Sequence, residues 1–436
     1  MIQFEKFQLE NGLRVILHED NSTPLVAVNL LYDVGSRDEM PERTGFAHLF
    51  EHLMFAGSKN VRDFDKPIQE AGGENNAFTN NDMTNFYATA PAENLETLLW
   101  LESDRMLSLS ITARALKTQQ KVVVEEFKET TLNEPYGDLW HLLSPLVYKK
   151  HPYRWPVIGQ EPRHIEEATL DDVKGFYKKY YVPNNAILVV AGNFDKIKTA
   201  INNEKADKST VKTPTLHIRS IIEKWFGAIP ASVLTARQLP QEPAQTGAER
   251  KEITAKVPLD AIFIAFRSPA RLEKDYYTVD LMTDVLSNGT SSRFYRRLLK
   301  DKQLFSEIDC FQSGSLDPGI VIVEGKPSEG ISLETAEKAI WEELELMKKE
   351  VIAELELQKL KNKVESQQAF SDAGALNKAM NLAYYELLGD ADLINTEAEK
   401  YNAITVLDIQ RVAQEIFRPE NATTLIYRAE KETKIV

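Results

Sequence analysis

Two histidines and a glutamate stand together in His48-Leu49-Phe50-Glu51-His52. On a helix, residues four apart lie about 40° apart around the axis, so His48 and His52 can both reach one ion. Glu51 falls on the same side, about 60° from His48 and about 100° from His52. Neutral imidazoles are good zinc ligands, and a carboxylate beside the metal can take a proton from water. Zinc lowers the pKa of a bound water to roughly 7, so a carboxylate suffices as base. The pattern predicts hydrolysis by an activated water with Glu51 as general base and His48 and His52 as zinc ligands. Leu49, Leu53 and Met54 give this helix an apolar side, and Gly57 follows as a C-terminal stop.

A tetrahedral zinc needs one more protein ligand. The segment Lys117 to Glu129 predicts a helix despite its valines and offers Glu125, Glu126 and Glu129. Periodicity does not choose among the three.

These residues need a scaffold, and 436 residues are comfortable for two domains of about 200 each. The net charge is −14, with 66 acidic against 52 basic residues. That balance argues against nucleic acid or an anionic membrane as main partner, since both reward basic patches. A single cysteine, Cys310, excludes an intrachain disulfide and reads as a small buried hydrophobe. No apolar run approaches the length of a membrane span. The first residues lack the charged and apolar regions of a signal peptide, which predicts a cytoplasmic chain, or a periplasmic or otherwise processed one if a leader was removed.

The scaffold is written twice. Thr169-Leu170-Asp171-Asp172 and Thr405-Val406-Leu407-Asp408 each place Thr and Asp where they can cap a helix start. Each helix is then stopped before a proline, Pro183 or Pro419, and a β-rich run follows. Both pairs are 236 residues apart. Likewise the strand-like Pro24–Tyr32 resembles Pro258–Phe266, and each leads to a helix ending near glycine, His48–Ser58 and Asp280–Thr290. So matched, His48, Glu51 and His52 correspond to Asp280, Thr283 and Asp284. One half carries the metal ligands and the other keeps only the apolar frame.

The expected division is 1–228 as a zinc-binding catalytic domain, 229–250 as a linker, and 251–436 as a homologous domain without metal ligands. The polar stretch 202–215 reads as a surface loop, and a long charge-laced helix is expected over about Leu333–Gln368. Phe7–Leu9 and Arg14–His18, joined through Asn11-Gly12, predict an antiparallel hairpin. The fold class expected is α+β, each domain a mainly antiparallel sheet packed by helices.

Several stretches carry a family likeness. They are Asn11-Gly12-Leu13-Arg14-Val15, Gly45-Phe46-Ala47-His48, Gly72 through Thr79, Val122-Val123-Val124-Glu125-Glu126, His151-Pro152-Tyr153 and Pro183-Asn184-Asn185-Ala186. Together they resemble the pitrilysin (inverzincin) metallopeptidases, and most the short two-domain type similar to the catalytic subunit of mitochondrial processing peptidase. The resemblance implies a zinc endopeptidase acting on peptides, with Glu126 as third ligand and Glu129 the fallback. It also implies that Asn76, Ala77, Phe78 and Thr79 form an edge strand onto which an extended substrate adds.

The chain departs from the family in two places. Gln119, two helical turns before Glu126, stands where the family usually has Glu; it keeps a hydrogen-bonding role and removes a charge. In the second half, the Arg and Tyr that stabilise the substrate oxyanion in self-sufficient members fall on Leu299 and Ser306. Arg296 or Arg297 would have to reach from a different helical angle to substitute. The expected arrangement is a heterodimer whose homologous partner supplies the missing pair. The alternative is a non-catalytic scaffold of the same fold.

Overall fold

The computed structural model describes residues 1–197 and 214–430. Most of the expected polar loop at 202–215 lies outside them. The described residues form two compact units, each built on one sheet. Residues 1–127, 155–239 and 368–396 make the first unit; residues 128–154, 240–367 and 397–436 make the second.

The first sheet has six strands: β1 (Glu5–Gln8), β2 (Arg14–Glu19), β3 (Leu25–Tyr32), β4 (Glu74–Thr79), β5 (Thr84–Pro91) and β6 (Ala186–Gly192). Their order is β1-β2-β6-β3-β5-β4, antiparallel throughout except for the parallel β2–β6 pair. The β1–β2 hairpin aligns Phe7 with Val15, and Gly12 in its turn adopts φ +87°, where a side chain would strain. Every residue of β6 is buried, as a central strand covered on both faces requires.

One face of this sheet packs on helices Phe46–Phe55, Leu95–Ser108, Ala113–Phe127, Leu170–Tyr180 and Pro214–Phe226. The other face, Ile16, Ala27, Leu31, Ile187 and Val189, is covered by helix Ala375–Leu387 through Ala379, Leu382 and Ala383. Lys378 on that helix lies 2.5 Å from Asp20.

The second sheet holds β7 (Glu249–Ala255), β8 (Ala261–Arg267), β9 (Phe305–Gln312), β10 (Ile320–Pro327) and β11 (Ala422–Ala429) in the order β7-β11-β8-β10-β9. Again one pair is parallel, β7–β11, and the rest antiparallel. Helices Tyr276–Ser287, Leu333–Lys349 and Val406–Ile416 cover one face. Helix Leu139–Val147, with Tyr148 and Tyr153, covers the other by packing on Phe263, Ile322, Leu425 and Tyr427.

The repeated caps form as the sequence predicts. Thr169 Oγ1 accepts the Asp172 N–H at 3.2 Å, and the Asp172 carboxylate accepts the Thr169 N–H at 2.9 Å. Thr405 and Asp408 do the same at 3.2 and 3.0 Å.

The long helix expected over Leu333–Gln368 is instead two, Leu333–Lys349 and Glu354–Ser371. Glu350 is extended, and Ile352 turns into the second core with 3% of its surface exposed. Burying this β-branched side chain outweighs continuing a solvated helix.

The stretch between the halves is extended and pinned by ion pairs. Arg237 meets Asp33 at 2.9 Å and Asp38 at 2.7 Å within the first unit. Within the second unit, Glu242 accepts the backbone N–H groups of Lys149, Lys150 and His151, each at 2.8 Å, and pairs with Arg267 at 3.0 Å. Cys310 is buried. Among the described residues no helix is long and apolar enough to cross a membrane.

Candidate metal centre

The Phe46–Phe55 helix is held rigidly by its apolar side. Leu49, Phe50, Leu53 and Met54 are all buried, and Phe50 stacks on Phe176 and Tyr181 with ring centroids 5.3 and 4.9 Å apart. That packing leaves His48, Glu51 and His52 half-buried on the remaining face. Helix Ala113–Phe127 buries Val123, Val124 and Phe127. Gln120 anchors it by donating to Ile165 O at 2.7 Å and Ala168 O at 3.0 Å.

These two helices bring three donor atoms together. His48 Nε2 lies 3.6 Å from Glu126 Oε1, and His52 Nε2 lies 3.3 Å from Glu126 Oε2. All three donors fall within 4.8 Å of one another. A tetrahedral zinc with bonds of about 2.0–2.1 Å has ligand–ligand edges of about 3.3–3.4 Å. Two imidazole nitrogens and one carboxylate at these separations therefore fit zinc with a position left open. Among the described residues this is the group of His, Cys, Asp and Glu side chains that could hold a metal.

The electrostatics suit ligation. Burial pushes the His48 imidazole below its ordinary value, against the pull of Glu126, which favours the neutral form. The contact with His52 holds the Glu126 carboxyl below its ordinary range, so it is ionised. A neutral imidazole and an ionised carboxylate are the states a metal selects. His48 Nδ1 is buried with no hydrogen-bond partner, so no hydrogen bond holds the ring from that side.

Glu125 and Glu129 do not join the group. Helix Ala113–Phe127 gives way to a wider π-helical turn at Lys128, and Glu129 falls in that turn. Gln119 is half-buried two turns before Glu126 on the same helix. Asn76, Ala77, Phe78 and Thr79 lie on β4, which among the described residues is an edge strand paired only with β5. The outward run is partly guarded, since Asn76 Oδ1 accepts the Ala77 N–H at 2.8 Å. Phe78 is 37% exposed.

In the second unit, Leu299 is half-buried in the π-helical segment Phe294–Asp301. Ser306 is exposed on β9 and donates to Lys326 O at 3.1 Å. Arg297 pairs with the buried Glu343 at 2.8 Å, which commits it to a structural contact. Arg296 lines a cavity of about 830 Å³ with Arg293 and Lys359, and that cavity holds none of the metal-motif residues. Asp280 and Asp284, the counterparts of His48 and His52, are largely buried and their carboxyls are raised by burial. Asp280 accepts the Tyr401 hydroxyl at 2.7 Å, and Asp284 accepts from Asn288 at 2.6 Å.

Sequence reading missed Glu39, which is buried against the metal helix. Its carboxylate accepts the N–H groups of Gly45 at 2.9 Å and Ala47 at 2.8 Å. A lone Glu in the polar stretch before Gly45 carries no periodicity that would mark it.

Known proteins resemble this chain along its length. The family profile described as "Insulinase (Peptidase family M16)" matches residues 14–159, and "Peptidase M16 inactive domain" matches 167–203 and 213–364. The zinc protease PqqE of Helicobacter pylori is 30% identical over 97% of this chain and 92% of its own length. A probable mitochondrial-processing peptidase subunit beta of Arabidopsis thaliana is 25% identical over 64% of this chain and 50% of its own. A protease from Helicobacter pylori of known crystal structure superposes with a TM-score of 0.88 at 28% identity, covering 98% of this chain and all of that one. The two-unit α+β architecture and these matches agree: the chain belongs to the M16 (insulinase/pitrilysin) family of zinc proteases.

Proposed function

We propose that this chain is a zinc-dependent endopeptidase, with His48, His52 and Glu126 as metal ligands and Glu51 as general base. The observation that carries the reading is the convergence of those three donor atoms within 4.8 Å. A zinc ion there would act as a Lewis acid and lower the pKa of a water to roughly 7. Glu51, one residue from His52 on the same helix, takes the proton from the attacking water and returns it to the leaving amine. An extended peptide adds to β4 along Asn76–Thr79, main chain to main chain, which gives modest sequence selectivity. Gln119 supports the Glu126 side of the site without adding charge.

Leu299 and Ser306 offer no guanidinium or phenol to a developing oxyanion, and Arg297 is engaged by Glu343. The reading therefore includes a homologous partner subunit that supplies this pair, a division of labour in keeping with the likeness to a mitochondrial-processing peptidase beta subunit. The same absence favours a second reading, a non-catalytic subunit of this fold. The converged ligands weigh against it, since a scaffold has no use for them.

The test is hydrolysis of a quenched fluorescent peptide library by the zinc-loaded chain, with and without candidate homologous partners, beside Glu51→Gln. Cleavage lost in the variant supports the peptidase. A chain that binds no zinc and cleaves nothing with any partner would sink it.

A further inference from the structure

The metal helix has an unusual beginning. Its N-cap is Gly45, with φ +87° and no side chain to cap with. A Cβ there would meet Ile158 O at 2.7 Å and Ile165 Cδ1 at 2.9 Å. The first-turn amides, which a Ser, Thr or Asp at the cap ordinarily satisfies, must find an acceptor elsewhere. They find it in Glu39, whose Oε2 takes Gly45 N–H at 2.9 Å and whose Oε1 takes Ala47 N–H at 2.8 Å. Burial raises its carboxyl well above the ordinary range, against the pull of the Ala47, Gly45 and Phe46 amides. Glu39 is 8% exposed.

A serine or threonine at the cap position offers one oxygen, whereas Glu39 offers two, one to each amide. The free amides of a helix start behave as a partial positive charge of roughly half a unit, which repels a cation held by the first turns. His48 lies one residue beyond Ala47. Two acceptor oxygens on those amides offset part of that repulsion and fix the first turn before any metal arrives.

We propose that Glu39 is a positioning residue for the metal site, acting through the Gly45 and Ala47 amides to hold the His48 turn in register and to favour a cation on it. The inference rests on the zinc reading above.

The experiment compares the zinc Kd of the wild-type chain and Glu39→Gln by competition with a chromophoric chelator. Circular dichroism and thermal unfolding verify the fold, and the visible spectrum of the cobalt-loaded proteins reports ligand geometry. A folded Glu39→Gln, whose amide nitrogen cannot accept a hydrogen bond, should bind zinc about three- to thirty-fold more weakly. A purely structural role would lower Tm and leave Kd and spectrum untouched, and that outcome overturns the proposal.

If Glu39→Gln does not fold, hydrogen exchange on the metal-free wild type decides. Protected amides at Gly45–Ala47 are expected, and exchange at the rate of an unstructured peptide would refute pre-positioning. A wild type that takes up no zinc counts against the function itself; a wild type and variant that bind equally count against Glu39 alone.

Discussion

His52 Nε2 and Glu126 Oε2 lie 3.3 Å apart, on two helices separated in the chain by a hairpin and two further helices. Both helices are fixed by their buried apolar sides. The donors are therefore assembled by packing, and an incoming ion has little to reorganise.

Removing one donor leaves too few. His52→Ala should weaken zinc binding by at least about 100-fold, because losing groups that merely orient ligands already costs 10–100-fold. Chelator competition measures it, and an unchanged Kd would move the metal elsewhere.

The base is separable from the ligands. Glu51→Gln should keep stoichiometric zinc by elemental analysis while kcat of the assembled enzyme falls by about 10²–10⁴ with KM little altered. A variant that cleaves at the wild-type rate would remove Glu51 from the mechanism.

Activity of the isolated chain should depend on the second unit's missing pair. Leu299→Arg with Ser306→Tyr should raise its kcat/KM by at least tenfold, given that one oxyanion donor is worth about 10²–10³. No gain in a folded double variant would mean that the partner contributes something else.

The Asp20–Lys378 contact should show in stability against pH. Burial raises the Asp20 carboxyl, but the Lys378 ammonium and the Ser22 hydrogen bonds outweigh it and hold it at about 2. A carboxyl depressed on folding stabilises above its unfolded value of about 3.9, and that stability is lost as pH falls toward 2. Urea unfolding of Lys378→Met should show a deficit that is constant from pH 8 to 5 and closes below about pH 4. A deficit independent of pH would assign the loss to packing.

Ile352, where the expected long helix breaks, is 3% exposed in the second core. Ile352→Ala should cost about 2–5 kcal/mol by denaturant titration, as large-to-small core changes do. A cost under about 0.5 kcal/mol would show that the break has another cause.

What could be read from the sequence was what is local. The His48–His52 spacing, the paired Thr–Asp caps and the strands flanking them are set by neighbours a few residues away, and each forms. Glu126 was one of three acids until the family likeness singled it out; the end of its helix before Glu129 follows from packing that periodicity does not encode. The missed features are long-range. An amphipathic pattern says that Ala375–Leu387 has a face to bury, not that it lies on the first sheet, and nothing local marks Glu39 as the acceptor for Gly45. Ile352 misled for the same reason, its burial being decided by a core built from distant strands.

The placement of Ala375–Leu387 on the first sheet sets a schedule for the growing chain. The last strand of that sheet ends at Gly192, and the helix that covers its second face ends at Leu387, nearly 200 residues later. At a ribosomal pace of about 5–20 residues per second, Ile16, Ala27, Leu31, Ile187 and Val189 wait for roughly 10–40 s without their cover. During that interval a bare apolar face can be met by a chaperone or by another nascent chain, so the yield of this protein should respond to translation rate more than its final stability would suggest.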